Sequence, residues 1–241
     1  MRVRVLGIGM GPRHVTAEVA EALRGCDYAV AARKREGDEL LALRRAVCDA
    51  YGLPLVAVPD PERDRNDPAD YPAAVAAWHE ARVAAYERVL GERGGTAAFL
   101  VWGDPALYDS TLRIVARVAE RGVVPVEYDV LPGISAPQLL AARHRIVLHG
   151  VGRPVHVTPA RRLNEAVAAG QDNIVVMLGS GPVFEGLEEW SVWWGANLGT
   201  DTEELVAGRV GDVLPAIGAA RARARERAGW VMDAALLRRN T

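Results

Sequence analysis

Residues 5–12 read VLGIGMGP, an apolar run ending in a turn with glycine at every second position. Such a turn directly after a strand lets the backbone approach a ligand closely, and it often opens a nucleotide-binding α/β fold. A dinucleotide loop would read GxGxxG, with an acidic residue about 20 positions later. Here Pro12 takes the third glycine position, and the second strand runs into Ala32, Arg33 and Lys34. The loop therefore argues against a nicotinamide cofactor, and a Walker-type phosphate loop fails because no GK[ST] follows.

Short β-branched runs alternate with helical stretches through the first half of the chain, which is typical of a parallel α/β sheet. Strand-like runs outnumber helical ones in the second half, which favours a mixed or antiparallel sheet. We therefore expect two α/β domains, a mostly parallel one at 1–133 and a mixed one at 134–241, with a cofactor cleft between them. The polar segment 59–72, rich in Pro and Asp, is either a surface connector or a lid over a site.

The composition is that of an ordinary globular protein, with 29 basic and 31 acidic side chains. This balance indicates neither a nucleic acid nor an anionic membrane surface as a partner. No apolar run approaches the roughly 18 residues of a transmembrane helix, and no secretory signal is evident, so we expect a cytoplasmic protein. Two isolated cysteines and five histidines without ligand spacing predict no metal site.

Two further strands end in loops that contain glycine and proline, WGDPALYDS at 102–110 and LPGIS at 131–135. The carboxyl ends of parallel strands meet at one edge of a sheet, so the three loops are expected to form one ligand site. None of the loops carries a lysine. A cofactor without phosphate therefore fits them better than a nucleotide phosphate does.

The runs VLGIGMGP, WGDPALYDSTLRI, PGISAPQLLAARHRI and RPVHVTPARRL resemble the tetrapyrrole (corrin/porphyrin) methylase family, especially its precorrin-6A synthase (deacetylating) branch. The resemblance extends to GWVMDAALLRR near the end of the chain. It implies a methyltransferase that holds S-adenosylmethionine (SAM) in the cleft, releases S-adenosylhomocysteine, and is usually a homodimer. It also implies C1-methylation of precorrin-5 with loss of acetate, giving precorrin-6A in cobalamin biosynthesis.

The same resemblance implies a set of cofactor-binding residues in the three loops and in two strands of the second domain. They are Gly9, Met10, Gly11, Trp102, Gly103, Asp104, Leu107, Ser135, Ala136, Met177, Leu178, Ala207 and Gly208. Met177 and Leu178 would flank the adenine, and Ala207 and Gly208 would close over it. Without the resemblance, Met177 and Leu178 are more simply interpreted as strand core.

Methyl transfer from a sulfonium needs alignment of donor and nucleophile more than a strong acid or base. Loss of acetate additionally needs a water and a proton acceptor, and the candidates to position or relay protons are Tyr108 and His144. The alternatives are ring packing for Tyr108 and a surface or capping role for His144.

A basic stretch at 143–162 contains five Arg and three His but no Asp or Glu. This segregation suits a polycarboxylate substrate such as a corrin precursor, although a basic surface stretch is the alternative. The candidate substrate-binding residues are Arg143, Arg145 and Arg161.

The chain departs from the family pattern at three places near the expected cleft. Gly11 runs into Pro12 without an intervening Asp, ARKREG replaces a short Asp-Lys-Gly turn, and GSG at 179–181 replaces an acid after VVML. These departures leave open a same-fold methyltransferase acting on nitrogen or carbon of another planar heterocycle. Two alternatives come from other classes, a nicotinamide-dependent oxidoreductase and a non-catalytic SAM- or tetrapyrrole-binding module. The missing carboxylate near residue 32 disfavours the first, and the three well-formed loops disfavour the second.

Overall fold

The computed structural model describes residues 1–33, 38–61, 71–179, 181 and 184–240, without the side chains of 71–75. The chain divides into two compact units, Met1–Ile134 and Ser135–Thr241. Most of the segment predicted as connector or lid lies outside the described residues, and so does most of the ARKREG stretch. Each unit is an α/β structure, which confirms the predicted fold class.

Strands and helices alternate in the N-terminal unit. They are β1 (Arg2–Gly7), α1 (Ala17–Arg24), β2 (Tyr28–Arg33), α2 (Glu39–Ala50), β3 (Leu55–Pro59), α3 (Tyr71–Arg93), β4 (Thr96–Val101), α4 (Thr111–Arg121) and β5 (Glu127–Leu131). The strands form one sheet in the order β3-β2-β4-β1-β5, and every neighbouring pair is parallel. The predicted parallel sheet is therefore confirmed.

The connections that leave the central strands β1 and β4 run in opposite directions across the sheet. The one after β1 leads to β2, towards one edge, and the one after β4 leads to β5, at the other edge. Helices α1 and α2 cover one face, where Leu23 and Val47 are buried in the same apolar cluster. Helices α3 and α4 cover the other face, where Leu90 and Val118 belong to a second cluster. A reversal of this kind separates the loops at the carboxyl ends of the strands and leaves a crevice where ligands bind.

The C-terminal unit has fewer helices than strands, as predicted. Its elements are α5 (Ala136–His144), β6 (His156–Pro159), α6 (Leu163–Ala168), β7 (Asn173–Met177), β8 (Ser191–Ala196), β9 (Glu204–Arg209), α7 (Val210–Ala228) and β10 (Asp233–Arg238). The sheet order is β6-β7-β10-β8-β9, in which only the β6 and β7 pair is parallel. Trp194, Leu163 and Ile217 lie at the centre of its apolar core. The mixed sheet is therefore confirmed.

None of the helices in the described part of the chain combines the length and the apolarity that crossing a bilayer requires.

Replacing Gly218 by Ala is expected to stabilise the protein. Gly218 is exposed inside α7, and a Cβ added there meets nothing within 4 Å. Because glycine loses more backbone entropy in a helix than alanine does, Gly218→Ala should raise the free energy of unfolding by roughly 0.5–1 kcal/mol. Urea denaturation followed by circular dichroism measures the change, and a lower midpoint than that of the wild type would contradict it.

Candidate functional site

The loops after β1, β4 and β5 meet backbone to backbone at the carboxyl edge of the N-terminal sheet. Gly9 and Gly103 exchange two hydrogen bonds across an antiparallel bridge, at 3.2 and 2.8 Å. A Cβ on Gly7 would lie 2.4 Å from the backbone nitrogen of Gly133, and one on Gly133 would lie 2.2 Å from the carbonyl oxygen of Gly103. No other residue type fits at Gly7 or Gly133 without moving the backbone, so the approach of the loops depends on glycine.

Asp104 joins the second loop to the third through its carboxylate. One oxygen accepts a hydrogen bond from the backbone N–H of Ala106 at 2.8 Å, and the other accepts one from the N–H of Gly133 at 2.9 Å. Both oxygens therefore hold loop geometry. The groups that this loop can offer to a ligand are mainly those of its backbone.

The remaining loop candidates differ in their surroundings. Met10 is buried, whereas Leu107 is partly buried. Gly11 has a φ of +132° and leads into a 3₁₀ turn at Pro12–His14. The indole Nε1 of Trp102 is shielded from solvent and has no hydrogen-bond partner in the described part of the chain. A buried donor without a partner is costly, and such a group is typical of a site that a ligand completes.

The C-terminal candidates lie at strand ends and on a sheet edge. Met177 is the last residue of β7, and Leu178 follows it with a φ of +58° and 60% exposure. Leu178 is therefore not strand core, and an exposed apolar residue in a strained backbone is typical of a functional position. On the edge strand β9, Ala207 is exposed, and a Cβ at Gly208 would lie 2.5 Å from a methyl group of Val213.

Helix α5 has fixed contacts at both ends. Ser135 is the N-cap of this helix, directly before Ala136. The side-chain oxygen of Gln138 accepts hydrogen bonds from the N–H and the hydroxyl of Ser135, each at 2.8 Å. His144 donates from Nε2 to the carbonyl oxygen of Trp194 at 3.0 Å, joining α5 to β8. That bond occupies Nε2, so His144 has a structural contact within the C-terminal unit.

The basic stretch predicted to bind a polycarboxylate is largely paired within the fold. Arg143, Arg153 and Arg162 each lie 2.6–2.9 Å from a carboxylate oxygen. Arg145 and Arg161 have no ion-pair partner among the described residues. The stretch lacks acids in the sequence, but the fold supplies them from other positions, and this weakens its interpretation as an anion site.

A polar cavity of about 340 Å³ lies in the N-terminal unit, at the carboxyl ends of β2 and β4. Tyr108 forms part of its wall, 43% exposed and with a φ of +52°. Three arginines and three aspartates, from three helices and the adjoining loops, also line it: Arg44, Arg82, Arg113, Asp38, Asp60 and Asp109. Sequence reasoning missed these six residues because no local motif joins them.

Burial shifts the ionisation of two groups in this cavity. Desolvation lowers the pKa of Arg44, and the more distant carboxylates of Asp109 and Asp38 oppose that shift. Desolvation also raises the pKa of Tyr86, although the guanidinium of Arg82 opposes it. In the described part of the chain, no three His, Cys, Asp or Glu side chains come together as metal ligands.

Comparison with known proteins identifies the family. The family described as Tetrapyrrole (Corrin/Porphyrin) Methylases matches residues 2–214. The chain belongs to this family. A protein named precorrin-6A synthase [deacetylating] from Sinorhizobium sp is 41% identical over 249 residues, which cover 99% of this chain and 95% of the relative.

Solved structures agree with the family assignment. A cobalamin synthesis related protein (CobF) from Corynebacterium diphtheriae has a TM-score of 0.84 and 36% identity, covering 99% of this chain and 98% of that one. A diphthine synthase has a TM-score of 0.62 at 13% identity, covering 100% and 91% of the two chains, and shows the shared fold alone. The predicted methyltransferase class is confirmed, and the nicotinamide-dependent oxidoreductase is set aside.

Replacing Gly133 by Ala should destabilise the N-terminal unit. The new Cβ would overlap backbone atoms of Gly103 and Gly7, which can move only if the loops separate. We expect Gly133→Ala to lower the free energy of unfolding by about 1–3 kcal/mol or more, measured by urea denaturation. Gly218→Ala adds the same methyl group in open space and is the matched control. Equal stability of Gly133→Ala and the wild type would show that the loops do not need this contact.

Proposed function

We propose that this methylase transfers a methyl group from SAM to C1 of precorrin-5 and releases acetate, giving precorrin-6A and S-adenosylhomocysteine. The observation that carries the proposal is the 41% identity to a named precorrin-6A synthase [deacetylating] across 99% of the chain. The 36% identical CobF structure supports the same pathway. The chain's place would then be in cobalamin biosynthesis.

The N-terminal loops fit SAM in chemical character. When bound, SAM supplies an electrophilic methyl group on a sulfonium, and it carries no phosphate. The loops around Gly9, Gly103 and Gly133 present backbone groups and carry no lysine, while Trp102 keeps an unpartnered indole N–H. We propose that these groups hold the cofactor, together with Met177 and Leu178 at the end of β7.

The residues of the chain act mainly by alignment. Holding donor and acceptor in line can contribute roughly 7–11 kcal/mol to lowering a barrier, without a strong acid or base. Loss of acetate also requires water and a proton acceptor. Tyr108 is the candidate to position that water or relay its proton, because its side chain is exposed in the cavity wall. His144 is the weaker candidate, because its Nε2 is bonded to Trp194.

The family resemblance also supports a homodimer, which we include in the proposal. Size-exclusion chromatography with light scattering measures the mass directly. A species near twice the 25.9 kDa of the chain is expected.

The reaction is tested by incubating the purified protein anaerobically with SAM and enzymatically prepared precorrin-5. We expect S-adenosylhomocysteine and acetate to appear in equal amounts, because one methyl transfer accompanies one deacetylation. Reactions without SAM or without precorrin-5 are the controls. Methyl transfer without acetate would remove deacetylation from the proposal. Turnover of another planar heterocycle in place of precorrin-5 would overturn the substrate assignment.

Replacing Asp104 should weaken SAM binding. Asp104→Ala removes the acceptors that hold the Ala106 and Gly133 N–H groups, so the second and third loops lose their connection. Hydrogen bonds to charged groups are worth about 1.5–3 kcal/mol, so the Kd for SAM should rise about 10- to 100-fold in calorimetry.

Two further variants control that measurement. Asp104→Asn keeps one acceptor oxygen and should give an intermediate Kd. Asp212→Ala removes an exposed carboxylate from α7 and should leave SAM binding unchanged. Wild-type affinity in Asp104→Ala would exclude a role for this carboxylate in shaping the cofactor loops.

A further inference from the structure

The polar cavity in the N-terminal unit arises where two strands of the sheet separate. β2 pairs with β4 only as far as Val30 opposite Phe99, although β2 continues to Arg33 and β4 to Val101. Beyond that point β2 pairs with β3 alone. The carboxyl ends of β2 and β4 therefore diverge, and the cavity opens between them.

Arg44 on α2 reaches this gap. Its Nε donates to the carbonyl oxygen of Leu100 at 2.8 Å, and its Nη1 donates to the carbonyl oxygen of Leu40 at 3.2 Å. Leu100 lies just past Phe99, the last residue of β4 that pairs with β2, so Arg44 supplies the donor that β2 would otherwise give. The guanidinium is thus held in a fixed orientation in the cavity wall.

The charge of Arg44 has no contacting counter-ion in the described part of the chain. Its two assigned partners are backbone carbonyls, and no carboxylate of the described residues lies within ion-pair distance. Burial lowers the pKa of Arg44, which expresses the cost of desolvating its cation. Of its five N–H donors, three remain for another acceptor. An anion in the cavity would offset that cost.

Four of the five other charged groups of the cavity are engaged, and the fifth, Arg113, is exposed to solvent. Arg82 lies 2.7 Å from Asp60 in an ion pair that is about one-tenth exposed, at 11% and 10%. The carboxylate of Asp109 accepts a hydrogen bond from the N–H of Thr111 at 2.6 Å, and that of Asp38 accepts one from the N–H of Leu41. Arg44 is therefore the desolvated cation of this cavity that is fixed by backbone carbonyls and contacts no carboxylate of the described residues.

We infer that Arg44 binds a carboxylate arm of the substrate in this cavity, and so acts as a specificity-determining residue. The inference rests on the proposed function, whose tetrapyrrole substrate carries acetate and propionate arms. Small-molecule sites usually span about 300–1,000 Å³, so a cavity of about 340 Å³ takes one edge of a macrocycle and not the whole ring.

A carboxylate suits the cavity better than a phosphate. A guanidinium presents a planar fork that matches a carboxylate in two parallel hydrogen bonds. Asp38, Asp60 and Asp109 in the same wall would repel a doubly charged phosphate more strongly than a singly charged carboxylate.

The test compares Arg44→Gln with Arg45→Gln, a matched control on the same helix. Arg45 is exposed and does not line the cavity. Uroporphyrin, a stable fluorescent tetrapyrrole with carboxylate arms, is titrated into each protein without SAM. We expect Arg44→Gln to raise the uroporphyrin Kd about 10- to 100-fold, and Arg45→Gln to stay within about twofold of the wild type. Equal Kd values for Arg44→Gln and the wild type would overturn the inference.

Turnover gives a second readout that separates binding from folding. For Arg44→Gln, KM for precorrin-5 should rise with little change in kcat, and the Kd for SAM should stay as in the wild type. A fall in kcat with an unchanged KM would overturn the assignment to substrate binding.

Ala32→Leu tests whether the cavity binds the carboxylate arm, and it leaves Arg44 unchanged. This variant provides the test if Arg44→Gln does not fold. Ala32 lines the cavity, and a larger side chain there would occupy the space of the carboxylate arm. We expect a similar rise in the uroporphyrin Kd, and wild-type binding by Ala32→Leu would overturn the inference.

The outcomes also distinguish this inference from the proposed function. Uroporphyrin binding that depends on Arg44, without formation of precorrin-6A, would support the carboxylate site and reject the proposed substrate. Formation of precorrin-6A with the same KM in Arg44→Gln and the wild type would support the reaction and reject the site.

Discussion

The contact on which the site depends is the close packing of backbone at Gly7, Gly103 and Gly133. A single added methyl group at Gly7 or Gly133 would lie 2.2–2.4 Å from a backbone atom of a neighbouring loop. This packing brings the ends of β1, β4 and β5 into one surface, and Asp104 locks two of the loops through hydrogen bonds to backbone N–H groups. A surface made from backbone groups of a rigid sheet edge loses little entropy on binding, which favours a preformed cofactor site.

The cavity beside this surface has a different chemical character. The glycine loops are nearly free of charge, whereas the cavity wall contains arginines and aspartates from α2, α3 and the start of α4. Most of these charged groups form ion pairs or hydrogen bonds within the protein, such as the Arg82–Asp60 ion pair. The cofactor surface and the charged cavity thus lie at the carboxyl edge of one sheet and share the loop after β4, whose Tyr108 lines the cavity.

Most of the fold and one part of the site follow from the sequence, because both depend on local patterns. Alternating strands and helices predict a parallel sheet, and parallel sheet geometry then brings three separate loops to one edge. The cavity could not be predicted, because it exists only where pairing between β2 and β4 stops after Val30. Arg44 belongs to no motif, and its position becomes informative only in the fold, where β2 no longer pairs with β4 at Leu100 and Arg44 donates to the Leu100 carbonyl oxygen.

The basic stretch shows a related limit of sequence reasoning, and the substrate-binding roles of Arg143, Arg145 and Arg161 stay a prediction. Local sequence shows which charges are near one another along the chain, but ion pairs form across the fold. Glu203, which is distant from Arg143 in the sequence, forms an ion pair with it. A segment that contains no acidic residues can therefore still have acidic residues beside it on the surface. An arginine is informative about a ligand when its charge is desolvated and its contacts are only backbone carbonyls, as at Arg44.

The shared fold also explains why the glycine loops cannot specify the substrate. A diphthine synthase has the same fold at 13% identity, so the architecture alone is compatible with more than one methyl acceptor. In this chain the first loop turns at Gly11 into the 3₁₀ turn Pro12–His14, where the family pattern would place an acid. His14 packs so closely that a Cβ on Gly9 would lie 2.7 Å from its own Cβ. The absence of the family's acid therefore changes how the first loop packs internally. Selection among methyl acceptors requires groups such as Arg44, which lie beside the cofactor surface.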